Sequence, residues 1–288
     1  MLWGRILAAA LAAVCINVGV SGRADSQERA SGAVNTGRPA QGAFIVDLSK
    51  GHDNETQLLA DLDIDAEWLG VSYRDENIGF GRHGMSLVAR REATPVSTHS
   101  SAEFQYVGFY GYGRYEAVLR ASDGKGAVTA FFVYSGEDMG DPHDEIDVEL
   151  VGKDSGRIHV NFFRHGKGSA KDIDLGFDAS DAEHLYAFEW LPDSITWYVD
   201  GVQVHRVAAP DAGIPTTTGR VMTSVWAANR TSVEWVGDAE FDTTVAFIRC
   251  ISHVPLGQNA PQCSNSFALP VRSRTGVGAV CCWRPLQR

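Results

Sequence analysis

From Ala43 to Val254 hydrophobic and polar residues alternate in short runs broken by turn residues, with no amphipathic helical stripe longer than about two turns. A period of two buries one face of a segment and leaves the other polar, which is the pattern of strands in a layered sheet protein. Predicted strands include Ser86–Arg90 after a turn at Gly81–Gly84, then Tyr112–Arg120, Ala127–Tyr134, Glu145–Val151, Arg157–Phe163, Tyr186–Trp190 and Thr196–Val199. Two hairpins are explicit. Leu191-Pro192-Asp193-Ser194 divides Phe188-Glu189-Trp190 from Ile195-Thr196-Trp197, and Asp200-Gly201 divides Trp197-Tyr198-Val199 from Val202–Val207. Proline presets a turn angle, and Asp-Gly tolerates the left-handed backbone that tight hairpins need. So many short strands predict an all-β sandwich. Past Leu256 alternation gives way to Pro, Ser and Arg, so residues 257–288 are expected to form an irregular tail outside the core.

The ends change the picture. Met1–Arg5 is short and cationic, Ile6–Val20 is apolar, and small residues follow up to Ala24, the pattern of a signal peptide over 1–24. The apolar run is shorter than the roughly 20 residues a membrane span needs, so secretion, with no membrane attachment after cleavage, is the expectation. Residues 25–41 are polar, small and aperiodic, and read as a disordered leader. A hydrophobic fraction of 44% suffices for one sizeable core. A formal charge of −11 argues against a nucleic-acid partner and suits a neutral polymer. Outside the signal segment the cysteines are Cys250, Cys263, Cys281 and Cys282. They show no metal-site spacing, and one disulfide joining Cys250 or Cys263 to the tail is expected, with the pairing open.

The chemistry concentrates in His143-Asp144-Glu145-Ile146-Asp147-Val148-Glu149-Leu150. On a strand Glu145, Asp147 and Glu149 share one face, and Ile146, Val148 and Leu150 share the other. Three carboxylates in a row repel one another and are poor strand formers, a local conflict expected at functional sites. Retaining glycoside hydrolysis uses two carboxyl groups about 5–5.5 Å apart, one attacking the sugar and one protonating the leaving oxygen. The Cα atoms of residues 145 and 149 would be about 13 Å apart at strand rise, so the glutamates must lean together over Asp147. Their surroundings should hold Glu145 ionised and Glu149 protonated, with Asp147 separating the charges. A helix–loop calcium site is the competing use of such acids, but it needs a glycine turn that this run lacks.

The same segment, with Gly152-Lys153, resembles the ExDxE signature of glycoside hydrolase family 16. The resemblance extends over about 42–255 through Phe109-Tyr110-Gly111-Tyr112-Gly113-Arg114-Tyr115-Glu116, Val160-Asn161-Phe162-Phe163, Leu175-Gly176-Phe177-Asp178, Phe188-Glu189-Trp190 and Trp197-Tyr198-Val199-Asp200-Gly201. It is nearest to bacterial lichenases and to glycanases that cut succinoglycan-type exopolysaccharide. It implies a catalytic domain over 42–256, a jelly-roll of two curved antiparallel sheets with the glycan in the concave cleft. It further implies Glu145 as nucleophile, Asp147 as its assistant and Glu149 as acid/base. No extra residue separates Asp147 from Glu149, so the strand should carry no bulge there.

By the same resemblance Glu103, Gln105, Tyr134, His143, Asn161, Phe163, Trp226 and Trp235 are substrate-binding candidates. Sugars offer flat apolar faces and hydroxyl rings, which aromatic platforms and amide or carboxylate groups match. Glu103-Phe104-Gln105 departs from the lichenase Glu-x-Arg, so Gln105 is read as replacing a cleft arginine. His143 stands where lichenases have tryptophan and the exopolysaccharide and xyloglucan enzymes histidine. Trp190, Trp197, Phe131 and Phe188 are assigned to the core. His159, His184 and His205 are read as isolated, with no metal spacing. No cofactor is required; the resemblance allows a structural calcium on the convex side, without nominating ligands. The expectation is a monomeric, secreted endo-β-glucanase acting on a mixed-linkage β-glucan or an exopolysaccharide. A lectin-like binding module has the same architecture but no reason to keep both Glu145 and Glu149. A transglycosylase would share the first chemical step.

Overall fold

A computed structural model describes residues 38, 40–50, 64–67, 69–208 and 213–267. The signal segment, most of the leader, Cys281, Cys282 and the tail from 268 lie outside the described residues. Strands dominate, and every predicted strand is present with its ends within two residues of those expected. The chain runs through β1 (Phe44–Asp47), β2 (Ile64–Ala66), β3 (Val71–Tyr73), β4 (Ile78–Gly81), β5 (Gly84–Arg91) and β6 (His99–Gln105). It continues through β7 (Gly113–Arg120), β8 (Ala127–Ser135), β9 (Asp144–Val151), β10 (Arg157–Arg164), β11 (Lys167–Gly168) and β12 (Lys171–Asp174). Last come β13 (His184–Leu191), β14 (Ser194–Val199), β15 (Val202–Ala208), β16 (Arg220–Ala227), α1 (Val233–Val236), β17 (Thr243–Pro255) and α2 (Cys263–Ser266).

These strands form the jelly-roll layers expected. The convex sheet runs β15-β14-β13-β7-β17, with β5 and β1 sharing the far edge of β17. The concave sheet runs β6-β16-β8-β9-β10-β12. Strand β6 is the seam: it pairs with β16 in the concave sheet, while its first residues pair with β5. At the β14–β15 hairpin both Asp200 and Gly201 have positive φ, 49° and 76°, as the Asp-Gly turn demands.

Between the layers lies one large core. Ile146, Val148 and Leu150 of β9 face Trp197, Phe188 and Tyr115 across it, all at most 1% exposed. Phe131 of the concave sheet meets Phe188 of the convex sheet at 5.5 Å, and Phe188 stacks on Tyr115 at 4.7 Å. Trp197 is a core residue with a tether, since its Nε1–H donates to the main-chain oxygen of Asp147 at 3.0 Å. A buried indole needs such an acceptor, and here the acceptor belongs to the strand that carries the acids.

The expected tail outside the core is corrected for its first part. Cys263 is fully buried and disulfide-bonded to Cys250 of β17. Ser264 donates its main-chain N–H and its hydroxyl to Glu116, a fully buried carboxylate also paired with Arg114. Loss of alternation after residue 256 marks a change from strand to irregular chain, not departure from the body. Among the described residues no helix is long and apolar enough to cross a membrane.

Candidate active site

Strand β9 lies between β8 and β10 in unbroken antiparallel register, so no bulge interrupts the acids. Its alternation sends Glu145, Asp147 and Glu149 to the concave surface and the aliphatic residues to the core. Paired residues of neighbouring strands share a face, so three rows cross the concave sheet. The first is Arg220, Tyr134, Glu145 and Phe163; the second is Gln105, Met222, Phe132, Asp147 and Asn161. The third is Glu103, Ser224, Ala130, Glu149, His159 and Asp172. Beside the third row, Trp226 lies opposite Val128 on the same face.

Nine of the predicted site residues thus occupy one surface: Glu103, Gln105, Tyr134, Glu145, Asp147, Glu149, Asn161, Phe163 and Trp226. The other two enter from outside the strands. His143 precedes β9; its Nε2 is 2.9 Å from Glu145 Oε2 and its ring stacks on Phe163 at 4.7 Å. Trp235 comes from α1 and stands 6.1 Å from Trp226 and 4.9 Å from the His159 ring. Aromatic surfaces therefore flank the acids at both ends, with Phe163 and Tyr134 beside Glu145 and the two tryptophans beyond Glu149.

Burial governs the electrostatics. Glu145 and Glu149 are each pushed up to about 8, first by desolvation, and Asp147 is driven well above the usual carboxylate range by burial and by Glu145. The expected separation into one ionised and one protonated glutamate does not follow from these shifts, because desolvation acts on both. Their partners do differ. The hydrogen bond between Asp147 and Glu145 lowers Glu145 and raises Asp147, and His143 lies within hydrogen-bond distance of Glu145, so both neighbours favour the charge on Glu145. Burial lowers the His143 pKa, which favours the neutral ring. Glu149 instead faces His159 Nε2 at 4.0 Å.

Glu103 is pushed up to about 7 by burial and is held by hydrogen bonds from Gln105 Nε2, at 2.9 Å, and Tyr73. The Gln105 carbonyl in turn accepts from Arg220 Nη1 at 3.0 Å. The cleft has an arginine, supplied by the neighbouring strand, and Gln105 relays it to Glu103. His159 is likewise not isolated: its Nδ1 is 2.7 Å from Asp172 Oδ1. Tyr73, Arg220, His159 and Asp172 were missed in the sequence. Parity could have found two of them, since His159 lies two residues before Asn161 and Arg220 six before Trp226 on strands of known facing. Among the described residues no group of His, Cys, Asp or Glu converges as metal ligands would, so none is assigned to a calcium.

Comparison with known proteins agrees with this geometry. The family model for glycosyl hydrolases family 16 matches residues 63–244. A beta-glucanase of Bacillus subtilis (strain 168) is 36% identical over 198 residues, covering 68% of this chain and 79% of that protein. The structure of Bacillus licheniformis beta-glucanase superposes with a TM-score of 0.68 at 30% identity, covering 75% of this chain and 99% of that one. A prokaryotic beta-1,3-1,4-glucanase (lichenase) derived from a mouse hindgut metagenome gives a TM-score of 0.69 at 27% identity, covering 75% and 100%.

Proposed function

The chain belongs to glycosyl hydrolases family 16, and from that membership we propose that this β-glucanase-like glycoside hydrolase cuts internal linkages of a mixed-linkage β-glucan with retention of configuration. The observation that carries the reading is the unbroken acid strand at the centre of the concave sheet, with the buried Glu145 and the partly buried Glu149 acting on each other across a buried aspartic acid. Glu145 is the nucleophile. Its carboxylate attacks the anomeric carbon while Glu149 gives its proton to the departing sugar oxygen, and the C–O bond breaks. Water then attacks the glycosyl-enzyme, the bond to Glu145 breaks, and the water's proton passes to Glu149. Asp147 and His143 stabilise the Glu145 carboxylate by hydrogen bonding. Phe163 and Tyr134 on one side, and Trp226 and Trp235 on the other, provide platforms for successive glucosyl rings, with Glu103, Gln105 and Asn161 offered to hydroxyl groups. A platform at each end of the acid row suits a chain that runs through the cleft, hence internal cleavage. Exopolysaccharide glucans of similar backbone belong to the same substrate proposal.

The N-terminal pattern over 1–24 is read as a secretion signal, and the Cys250–Cys263 disulfide supports an oxidising destination. The test is release of reducing ends from lichenan, laminarin, carboxymethylcellulose, xyloglucan and succinoglycan by the protein and by Glu145→Gln. Activity on lichenan that falls about a thousandfold or more in the variant is expected. Silence on all five polymers together with measurable binding would transfer the chain to the lectin-like reading.

A further inference from the structure

In the row that crosses the cleft at Glu149, three polar side chains follow one another on adjacent strands: Glu149, His159 and Asp172. Asp172 fixes the histidine tautomer, because the 2.7 Å contact takes the proton on Nδ1 and turns Nε2 toward Glu149. That Nε2 has no hydrogen-bond partner although His159 is only 6% exposed and is covered by Trp235. An unpartnered buried ring nitrogen is costly, and such costs are retained where a ligand supplies the missing partner. The 4.0 Å between Nε2 and Glu149 Oε2 is too long for a direct hydrogen bond. It is the right span for one hydroxyl oxygen about 2.8 Å from each.

We propose that His159 Nε2 accepts a hydrogen bond from the water that attacks the glycosyl-enzyme, while Glu149 takes that water's other proton, and that Asp172 is the positioning residue that aims the ring. This rests on the reading of Glu149 as acid/base. The bridged oxygen is that of the attacking water in the second half-reaction: with its proton on Nδ1 the ring offers only an acceptor at Nε2, which suits a water O–H and not a glycosidic oxygen that carries no hydrogen. No net proton goes to His159: the Glu149 proton leaves with the sugar, and the water proton restores it. The pair holds the water in line with the carboxylate, which speeds hydrolysis of the glycosyl-enzyme and leaves its formation unchanged.

The experiment uses the full chain and its variants His159→Gln and Asp172→Asn with two aryl β-oligoglucosides, one releasing unsubstituted phenol and one releasing 2,4-dinitrophenol, which departs without an acid. In both variants kcat on the dinitrophenyl substrate, where hydrolysis of the glycosyl-enzyme is the slow step, should fall about tenfold or more, while kcat/KM, which reports formation of the glycosyl-enzyme, should stay within about threefold on both substrates. An unchanged kcat on the dinitrophenyl substrate, or a comparable loss of kcat/KM on both substrates, would overturn the proposal. Asp172 has a side chain 60% exposed, so its replacement leaves the fold in place and gives a clean result if His159→Gln unfolds. Wild-type protein inactive on both substrates would instead overturn the β-glucanase reading itself.

Discussion

Glu149 is mostly buried, its side chain 16% exposed, yet it has to give up and recover a proton in every catalytic cycle. Burial lifts it from 4.5 to about 8, so the folded protein binds this proton more tightly than the unfolded chain does. Such a group favours folding fully below about pH 4.5, and its contribution is lost as pH rises toward about 8. Glu149→Gln keeps the shape and removes the titration. Thermal melts from about pH 5 to 8 should therefore show a shallower decline for the variant, with a gain of about 2–4 °C at the alkaline end. Parallel curves for the two proteins would mean that Glu149 is not the buried acid described. The acids themselves were legible because period-two spacing assigns a face. Tyr73 was not, since a tyrosine in a three-residue strand gives no sign that it will lie beside Glu103, thirty residues further on. Arg220 had a parity signal, but its partner Gln105 emerges only when β16 settles between β6 and β8.

Elements closed by local chemistry were the readable ones. The Pro-Asp and Asp-Gly hairpins form where the turn residues demand them, and β13, β14 and β15 follow. The four-residue helices were invisible, because one turn has no period to detect and its stability comes from neighbours. Helix α1 is held by Asn229, whose carbonyl and side-chain oxygens receive the N–H groups of Val233, Thr231 and Ser232, and by the buried Val236. Helix α2 depends on the disulfide and on Glu116. Cys263→Ser opens a loop of thirteen residues' separation and should cost about 3 kcal/mol. Denaturant titration with and without reductant measures it: the wild type should lose that stability on reduction, and the variant should be insensitive. Equal sensitivity in both would place the stabilising bond elsewhere.

At the scale of the whole molecule the two sheets share one core and the seam strand β6. Phe131, fully buried and touching Phe188 of the opposite sheet, represents that core. Phe131→Ala should cost about 3–5 kcal/mol in urea unfolding while the folded fraction keeps its kcat within a few-fold. A selective loss of kcat with unchanged stability would contradict this division of labour. The sandwich was legible from alternation alone, but which sheet curves around the ligand was not, because curvature comes from long-range pairing. The unbroken register of β9 has one more consequence. From Glu145 to Leu150 odd-numbered positions spell the chemistry and even-numbered positions the packing, so this stretch of the strand is written in two interleaved alphabets. Exchanging letters in one alphabet leaves the other readable, which lets new glycan preferences be explored without renegotiating the fold. Losing a single letter merges the two and forfeits both at once.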